Sequence, residues 1–148
     1  MADQRQEASD PAPPHGEPVT LAQLGGDAGI ARWVERFYAR VAQEPLLAPM
    51  FDDLARAQEK QYAYFVEFFG GPKLYTEQYG RAFLRFKHRH FRIGQPEREA
   101  WMRHAMEALA EDVDDPAILS AVEQRLAPLA QAMVNHNPEQ HDAYFFQR

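Results

Sequence analysis

The chain has 148 residues, the size of one domain, and 45% of them are apolar, including ten phenylalanines and six tyrosines. Its formal charge of -6 does not suit a nucleic-acid-binding module, because the phosphate backbone favours a basic face. No apolar run is long enough to cross a membrane, and no apolar export segment stands near Met1, so a cytoplasmic protein that binds neither nucleic acid nor membrane is expected. The chain has no cysteine, which excludes disulfides, thiolate catalysis and thiolate ligation of a metal.

The two ends of the chain differ from the middle. Residues 1–18 contain four prolines among small and polar residues and show no apolar periodicity, so a flexible tail is expected there. A single domain is expected over residues 19–136, followed by a C-terminal extension over 137–148. The run Tyr144-Phe145-Phe146 could form an exposed patch or fold back on the domain.

Apolar residues at spacings of three and four predict helices, and no segment shows the alternation of a half-buried strand. The four long helices are expected over residues 27–43, 53–69, 96–111 and 116–136. Prolines and glycines mark the breaks between them, and Pro128 is expected to kink the last helix. The chain is therefore predicted to be all-α, with helices too unequal in length for a simple four-helix bundle.

Shorter segments lie between the long helices. Thr20 can cap a short first helix that the pair Gly25-Gly26 ends. Residues 73–80 are expected to form a loop or a weak turn. A short helix is expected over residues 81–90, followed by an extended link over 91–95.

Five landmarks follow one another along the chain. They are Gly25-Gly26, Arg36-Phe37-Tyr38, the segment from Gly70 to Tyr75, the run from Leu84 to Ile93 that contains His88, and Trp101. A histidine among aromatic residues, with no cysteine nearby, can hold an iron porphyrin through one axial bond. In order and spacing these landmarks resemble the truncated haemoglobins of the second group, over residues 20 to about 135. The resemblance implies a truncated globin fold, a two-over-two helical sandwich around haem b.

His88 is the proximal iron ligand that the resemblance implies. Neutral imidazole binds iron through Nε2, and its other nitrogen usually donates to a backbone carbonyl. His90 is the rival candidate. Two residues apart on a helix, His88 and His90 would point to nearly opposite sides, so they cannot both face one ring. The family pattern selects His88.

Four residues are candidates for the distal side, where a gas would bind. Tyr38 and Gln61 fall on apolar helix faces, where an amide without a partner costs roughly 1–3 kcal/mol. By resemblance Tyr38 donates a hydrogen bond to the gas, Gln61 lies in the same pocket, and Trp101, a signature of this group, adds an indole N–H. Ala57 takes the place of the distal histidine of familiar haemoglobins and leaves space for gas entry.

Cations cluster around the proximal segment of this acidic chain. They are Arg81, Arg85, Lys87, Arg89 and Arg92. Such a run is usually a solvated face, but haem has two propionates that favour charge-assisted bonds. By resemblance Lys60, Tyr75 and Lys87 stand where propionate contacts occur, and Arg92 is a further candidate. Phe51 matches the position whose ring packs on the porphyrin face.

The function implied is reversible binding of dioxygen and other diatomic gases at iron held by His88. A pocket rich in donors suits tight binding of dioxygen or redox chemistry on nitric oxide or peroxide, such as nitric oxide dioxygenase or peroxidase-like activity. Any such cycle would need an electron donor from outside the chain. The alternative is a non-haem helical protein that binds a metal through His88, His90 and His104, or that serves as an interaction module. Both a monomer and a homodimer remain open.

Overall fold

The computed structural model describes residues 18–136; residues 1–17 of the predicted tail and the extension 137–148 lie outside the described residues. All regular structure in the described part is helical, which confirms the predicted all-α class. Short 3-10 helices cover Ala22–Leu24 and Ala48–Met50. The six α-helices are α1 (Gly26–Val41), α2 (Leu54–Phe68), α3 (Leu74–Tyr79), α4 (Leu84–Lys87), α5 (Gln95–Ala110) and α6 (Pro116–Met133).

The helix ends follow from short-range chemistry that the sequence shows. The side chains of Thr20, Asp53 and Asp115 each accept a hydrogen bond from a backbone N–H two or three residues ahead, which satisfies a donor that the helix itself leaves unpaired. Gly25 has a φ of 89° and separates the first 3-10 helix from α1. Pro128 lies inside α6, which continues past it.

The four long helices pack as two pairs. Helix α1 packs against α2 and α5, and α6 packs against α5. Trp33 joins three of them from the centre of the core: its ring stacks on Phe65 of α2 at 4.6 Å, and its indole N–H donates to the carbonyl oxygen of Ala105 of α5 at 2.8 Å. The hydrogen bond removes the cost of burying the indole N–H, so the side chain fills the core without an unpaired donor.

The prediction of a loop or weak turn over residues 73–80 is wrong, because helix α3 covers most of this segment. Its first turn is tied to α2 through Glu67, whose carboxylate accepts from the backbone N–H of Thr76 at 2.9 Å and from the hydroxyl of Thr76 at 2.6 Å. These long-range bonds satisfy donors at the start of a six-residue helix that is too short to be stable alone. A sequence pattern over eight residues does not show such a partner.

The helix predicted over residues 81–90 is also wrong in extent, because α4 has only four residues. Before it, Phe83 has a φ of 44°, a left-handed conformation that interrupts a helix. After it, the side-chain amide of Asn135 donates to the carbonyl oxygens of His88 at 3.3 Å and Phe91 at 2.8 Å. These carbonyls therefore accept from Asn135, two residues after α6, and that of His88 also accepts from the backbone N–H of Phe91 at 3.1 Å, in place of another turn of α4.

We predict that Gly29→Ala destabilises the protein although alanine is the better helix former. A Cβ on Gly29 of α1 would lie 2.0 Å from the backbone oxygen of Leu24, and neither atom belongs to a flexible side chain. The substitution should lower the free energy of unfolding by about 2 kcal/mol, whereas an open helical site would gain about 1 kcal/mol. Denaturant unfolding measures the change. Ala31→Gly, at an exposed position of the same helix, should cost only about 1 kcal/mol from propensity. A stabilised Gly29→Ala variant would contradict the close approach.

Candidate functional site

One cavity of about 290 Å³ lies among the helices, and every one of α1 to α6 contributes to its wall. Nine of the predicted site residues line it: Tyr38, Phe51, Ala57, Lys60, Gln61, Tyr75, Lys87, His88 and Trp101. The tenth, Arg92, is not among the lining residues. Its guanidinium Nη2 lies 2.7 Å from the ring nitrogen Nε2 of His136. The fold therefore brings together residues that are up to 63 positions apart in the chain, between Tyr38 and Trp101.

His88 is the first residue after α4, and one of its ring nitrogens is tied to the backbone. Nδ1 lies 2.7 Å from the carbonyl oxygen of Leu84. A carbonyl oxygen only accepts, so Nδ1 carries the proton and the neutral ring has its lone pair on Nε2. His88 is half-buried in the cavity wall, whereas His90 is exposed and does not line the cavity. The structure thus separates the two histidines that the sequence proposed as rivals.

Tyr38 and Gln61 meet in the cavity wall. The hydroxyl of Tyr38 donates to Oε1 of Gln61 across 3.3 Å, from α1 to α2. Burial raises the pKa of Tyr38 well above its usual range, so the phenol stays protonated and can donate at any physiological pH. The ring of Phe51 meets the ring of Tyr38 edge to face at 5.5 Å and restricts its orientation.

Trp101 supplies another donor to the same wall. Its ring packs edge to face against Phe37 at 5.4 Å, which places the side chain on the cavity side of α5. Within residues 18–136 the indole N–H has no hydrogen-bond partner. Ala57, half-buried on α2, adds only a methyl group, so this part of the wall holds donors next to a small apolar surface.

Cations line the cavity as well. Lys87 of α4 donates from Nζ to the hydroxyl oxygen of Tyr75 of α3 at 3.0 Å. The pKa of Lys60 of α2 is lowered, first by desolvation and then by the nearby cations Arg56 and Lys87. Cations that repel one another at a cavity wall are stabilised by an anion placed between them.

Arg98 is a lining residue that the sequence reasoning missed. Its guanidinium Nε is buried and has no hydrogen-bond partner among the described residues. The neighbouring carboxylate of Glu97 is already engaged, since it accepts from the backbone N–H of Gly94 at 2.7 Å. The available signal was the spacing, because Arg98 stands one helical turn before Trp101 on α5. A buried guanidinium N–H without a partner favours a carboxylate ligand.

The remaining lining residues that the sequence did not assign to the site are mostly apolar. They are Leu47, Met50, Tyr64, Leu84, Phe91, Ile93, Leu129, Ala130 and Met133, together with the acidic Glu97. In sequence such residues follow the same periodicity as the core, so nothing distinguishes a wall of a cavity from the interior of a helix pair.

A single-histidine cavity with apolar and aromatic walls, cationic side chains and two helix pairs around it defines a haem-binding globin class of protein. The profile of the family described as bacterial-like globin matches residues 20–135, and the chain belongs to this family. Its relatives include truncated haemoglobins of the second group, which confirms the resemblance and the two-over-two fold.

Three relatives illustrate the similarity. The chain is 35% identical over 111 residues to a group 2 truncated haemoglobin of Bacillus subtilis, covering 74% of this chain and 84% of the relative. The solved structure of a haemoglobin from Chloroflexus aurantiacus is 42% identical, with a TM-score of 0.74, covering 81% of this chain and 100% of that one. The group II truncated haemoglobin of Bacillus anthracis is 35% identical, with a TM-score of 0.75, covering 84% and 99%.

Members of this family bind haem b, and the protein is a haem b protein that binds dioxygen and other diatomic gases. The cavity fits the group: the Nε2 lone pair of His88 suits iron, and Arg98 with its unpartnered Nε suits a propionate. The non-haem alternative is therefore wrong. Among residues 18–136 no group of three or more histidine or acidic side chains could hold a metal ion by itself. No helix of that part of the chain is long and apolar enough to span a bilayer.

We predict that Arg98 and Lys87 recognise the haem carboxylates. Arg98→Met and Lys87→Met should each weaken binding of haem by about tenfold, the equivalent of about 1.4 kcal/mol, because each removes a charge-assisted bond. Binding of haem dimethyl ester, whose propionates carry no charge, should change much less. Haem transfer to an apoglobin acceptor measures both. Arg92→Met is the matched control, since Arg92 does not line the cavity. Equal losses for haem and its ester would show that the two side chains act on packing alone.

Proposed function

We propose that the protein binds dioxygen tightly and releases it slowly, with His88 as the proximal iron ligand and Tyr38, Gln61 and Trp101 as distal donors. The observation that carries the proposal is the contact between Tyr38 and Gln61, 3.3 Å long, in the wall of the same cavity as His88. The contact holds a phenol and an amide side by side in the cavity wall, so rotation of the hydroxyl hydrogen away from Oε1 would place a donor next to a gas that gains negative charge.

The proximal role of His88 is supported by its hydrogen bond to the backbone. When bound, haem supplies a ferrous iron that has one coordination position for an imidazole nitrogen and another for a diatomic gas. The bond from Nδ1 to the carbonyl oxygen of Leu84 fixes the tautomer and the orientation of the ring, and it makes Nε2 more basic and hence a stronger ligand for a metal. The chain therefore presents its nitrogen before any ligand arrives.

The distal role rests on three donors of different kinds. Tyr38 has one hydroxyl hydrogen, which points at Oε1 of Gln61 and would rotate to a bound gas, while the amide nitrogen of Gln61 and the indole N–H of Trp101 supply the other two donors. In a site that excludes water such bonds are stronger than in solvent. At roughly 1 kcal/mol for each net bond, three donors slow gas release from severalfold to about a hundredfold or more.

Slow release favours tight binding, sensing or redox chemistry over oxygen delivery. A redox role would use the same three donors on nitric oxide or peroxide, with the electron supplied by a separate reductant. Peroxide turnover also needs a proton donor and acceptor beside the ligand, and none of the three distal donors is a histidine or a carboxylate, so ligand binding is the function that the geometry supports best and redox turnover is secondary to it.

Absorption spectra of the haem-loaded protein test the proximal assignment. We expect a sharp Soret band, a five-coordinate reduced form and a stable complex with dioxygen. His88→Gly should lose the five-coordinate reduced spectrum, and added imidazole should restore it, because free imidazole can replace the missing ring. His90→Gly, the matched control, should leave the spectra unchanged. A six-coordinate reduced form in the wild type would mean that an internal side chain competes for iron.

We predict that Tyr38→Phe speeds the release of dioxygen. Removal of the hydroxyl deletes one charge-assisted donor and leaves Oε1 of Gln61 without it, so the dissociation rate should rise between about fivefold and a hundredfold. Stopped-flow displacement of dioxygen by carbon monoxide measures the rate. Tyr62→Phe, on α2 but outside the cavity wall, should leave it unchanged. An unchanged rate in Tyr38→Phe would rule out a distal role for the phenol.

A further inference from the structure

A basic surface surrounds His88 on the exposed side of α4. We define the proximal basic patch as Arg85, Phe86, Lys87, Arg89 and Arg92, all of which are exposed. The segment from residue 78 to residue 96 contains no carboxylate, although the whole chain has a formal charge of -6. The patch is therefore a local positive surface on a negative molecule, and only part of it is needed to hold haem carboxylates.

The cations of the patch are not paired with acids. Arg89 donates from Nη1 to the carbonyl oxygen of Phe86 at 2.6 Å, and Arg92 lies 2.7 Å from the ring of His136. Within the described residues none of the four cations of the patch forms an ion pair with a carboxylate. The arginines of α1, by contrast, pair with carboxylates of α5 and of the turn after it. The positive charge of the patch is thus available to an external acidic partner.

An apolar contact lies inside this ring of charge. Phe86 is 43% exposed, more than any other large aromatic side chain in residues 18–136. The guanidinium of Arg89 lies over its ring, 3.6 Å from the centroid, and keeps the ring on the surface. Proteins that exchange electrons form weak complexes with small interfaces, and complementary charges steer the two partners together. A small apolar centre surrounded by like charges suits such an interface.

The position of the patch suggests what the partner does. Phe86, Lys87 and Arg89 immediately flank His88, and Lys87 also lines the cavity. We infer that the proximal basic patch, built from the exposed ring of Phe86 and the unpaired cations around His88, docks an acidic one-electron donor protein that reduces the haem iron. This inference rests on the proposed function, because an electron has a destination here only if His88 holds haem.

The transfer balances as a single outer-sphere step. The reduced donor loses one electron, ferric iron gains it and becomes ferrous, and no bond forms or breaks. A compact donor with carboxylates around an apolar spot suits the patch better than a long polyanion does, because the remaining acidic surface of the protein repels a partner that extends beyond the patch.

The experiment uses the full-length, haem-loaded protein and a reduced acidic [2Fe–2S] ferredoxin as the probe. Titration calorimetry of the oxidised partners measures binding, and stopped-flow absorbance at the Soret band measures reduction. We expect the affinity and the second-order rate of the wild type to fall steeply as salt rises. The double variant Arg85→Glu, Arg89→Glu should weaken binding and slow reduction by about tenfold or more at low salt and flatten the salt dependence.

Two further variants test whether the effect depends on the patch itself or only on the net charge of the protein. Lys73→Glu changes the net charge by the same amount as the single variant Arg85→Glu, but Lys73 lies outside the patch. It should therefore change the affinity and the rate of reduction much less than Arg85→Glu does. Phe86→Ala should weaken binding without changing the salt dependence, since it removes apolar contact and no charge. Carbon monoxide spectra of each variant check that the haem site is intact.

The outcomes keep the two proposals distinct. Failure of the wild type to hold haem overturns the proposed function. An intact haem spectrum with equal rates for the wild type and the double variant overturns the docking surface and leaves the haem assignment standing. Binding to anionic vesicles in place of the ferredoxin, abolished by the double variant, would assign the patch to a membrane and also overturn the inference.

Discussion

The site depends on the hydrogen bond between Nδ1 of His88 and the carbonyl oxygen of Leu84, which is 2.7 Å long. It sets the tautomer of the ring and leaves the lone pair on Nε2. The bond forms because α4 stops after four residues and places His88 at its end, one turn after Leu84. Asn135, two residues after α6, holds the backbone in that state by donating to the carbonyl oxygens of His88 and Phe91. A contact across 47 residues therefore determines the local geometry of the candidate iron ligand.

Different helices supply the hydrogen-bond donors and the cations of the cavity wall. Donors come from α1, α2 and α5 through Tyr38, Gln61 and Trp101, while cations come from α2, α4 and α5. Such a division requires rigid helix positions, and the core around Trp33 provides them: it joins α1, α2 and α5 through one ring contact and one hydrogen bond. The same three helices that carry the distal donors are thus fixed relative to one another by a buried side chain that lies outside the site.

Charge is distributed unevenly over the molecule: the arginines of one helix are paired with carboxylates, whereas the cations of the proximal basic patch are not. The arginines of α1 are neutralised by carboxylates of α5 and of the turn after it, at distances from 2.7 Å, and serve to join two helices. The four cations of the proximal basic patch form no such ion pairs within residues 18–136. Lys87 lines a cavity that takes a dianionic cofactor, and Arg85, Arg89 and Arg92 are exposed beside it. A positive surface is therefore kept where an anionic ligand and an acidic partner would both approach.

The sequence by itself determined the helical class, the ends of the long helices to within three residues, and the family, because caps, prolines, glycines and apolar spacing act over a few residues. It also selected nine of the lining residues, through landmarks whose order the family shares. It did not predict α3, the shortness of α4 or the place of Arg98. Each of these depends on a partner distant in the chain or, for Arg98, on a wall formed by several helices: Glu67 for α3, Asn135 for the end of α4, and the assembled cavity for Arg98. The sequence already favoured Nε2 of His88 as the nitrogen that binds iron, but local patterns carry no record of distant partners, so only the tertiary structure decided which carbonyl the other nitrogen meets and which cations of the proximal basic patch lack a carboxylate.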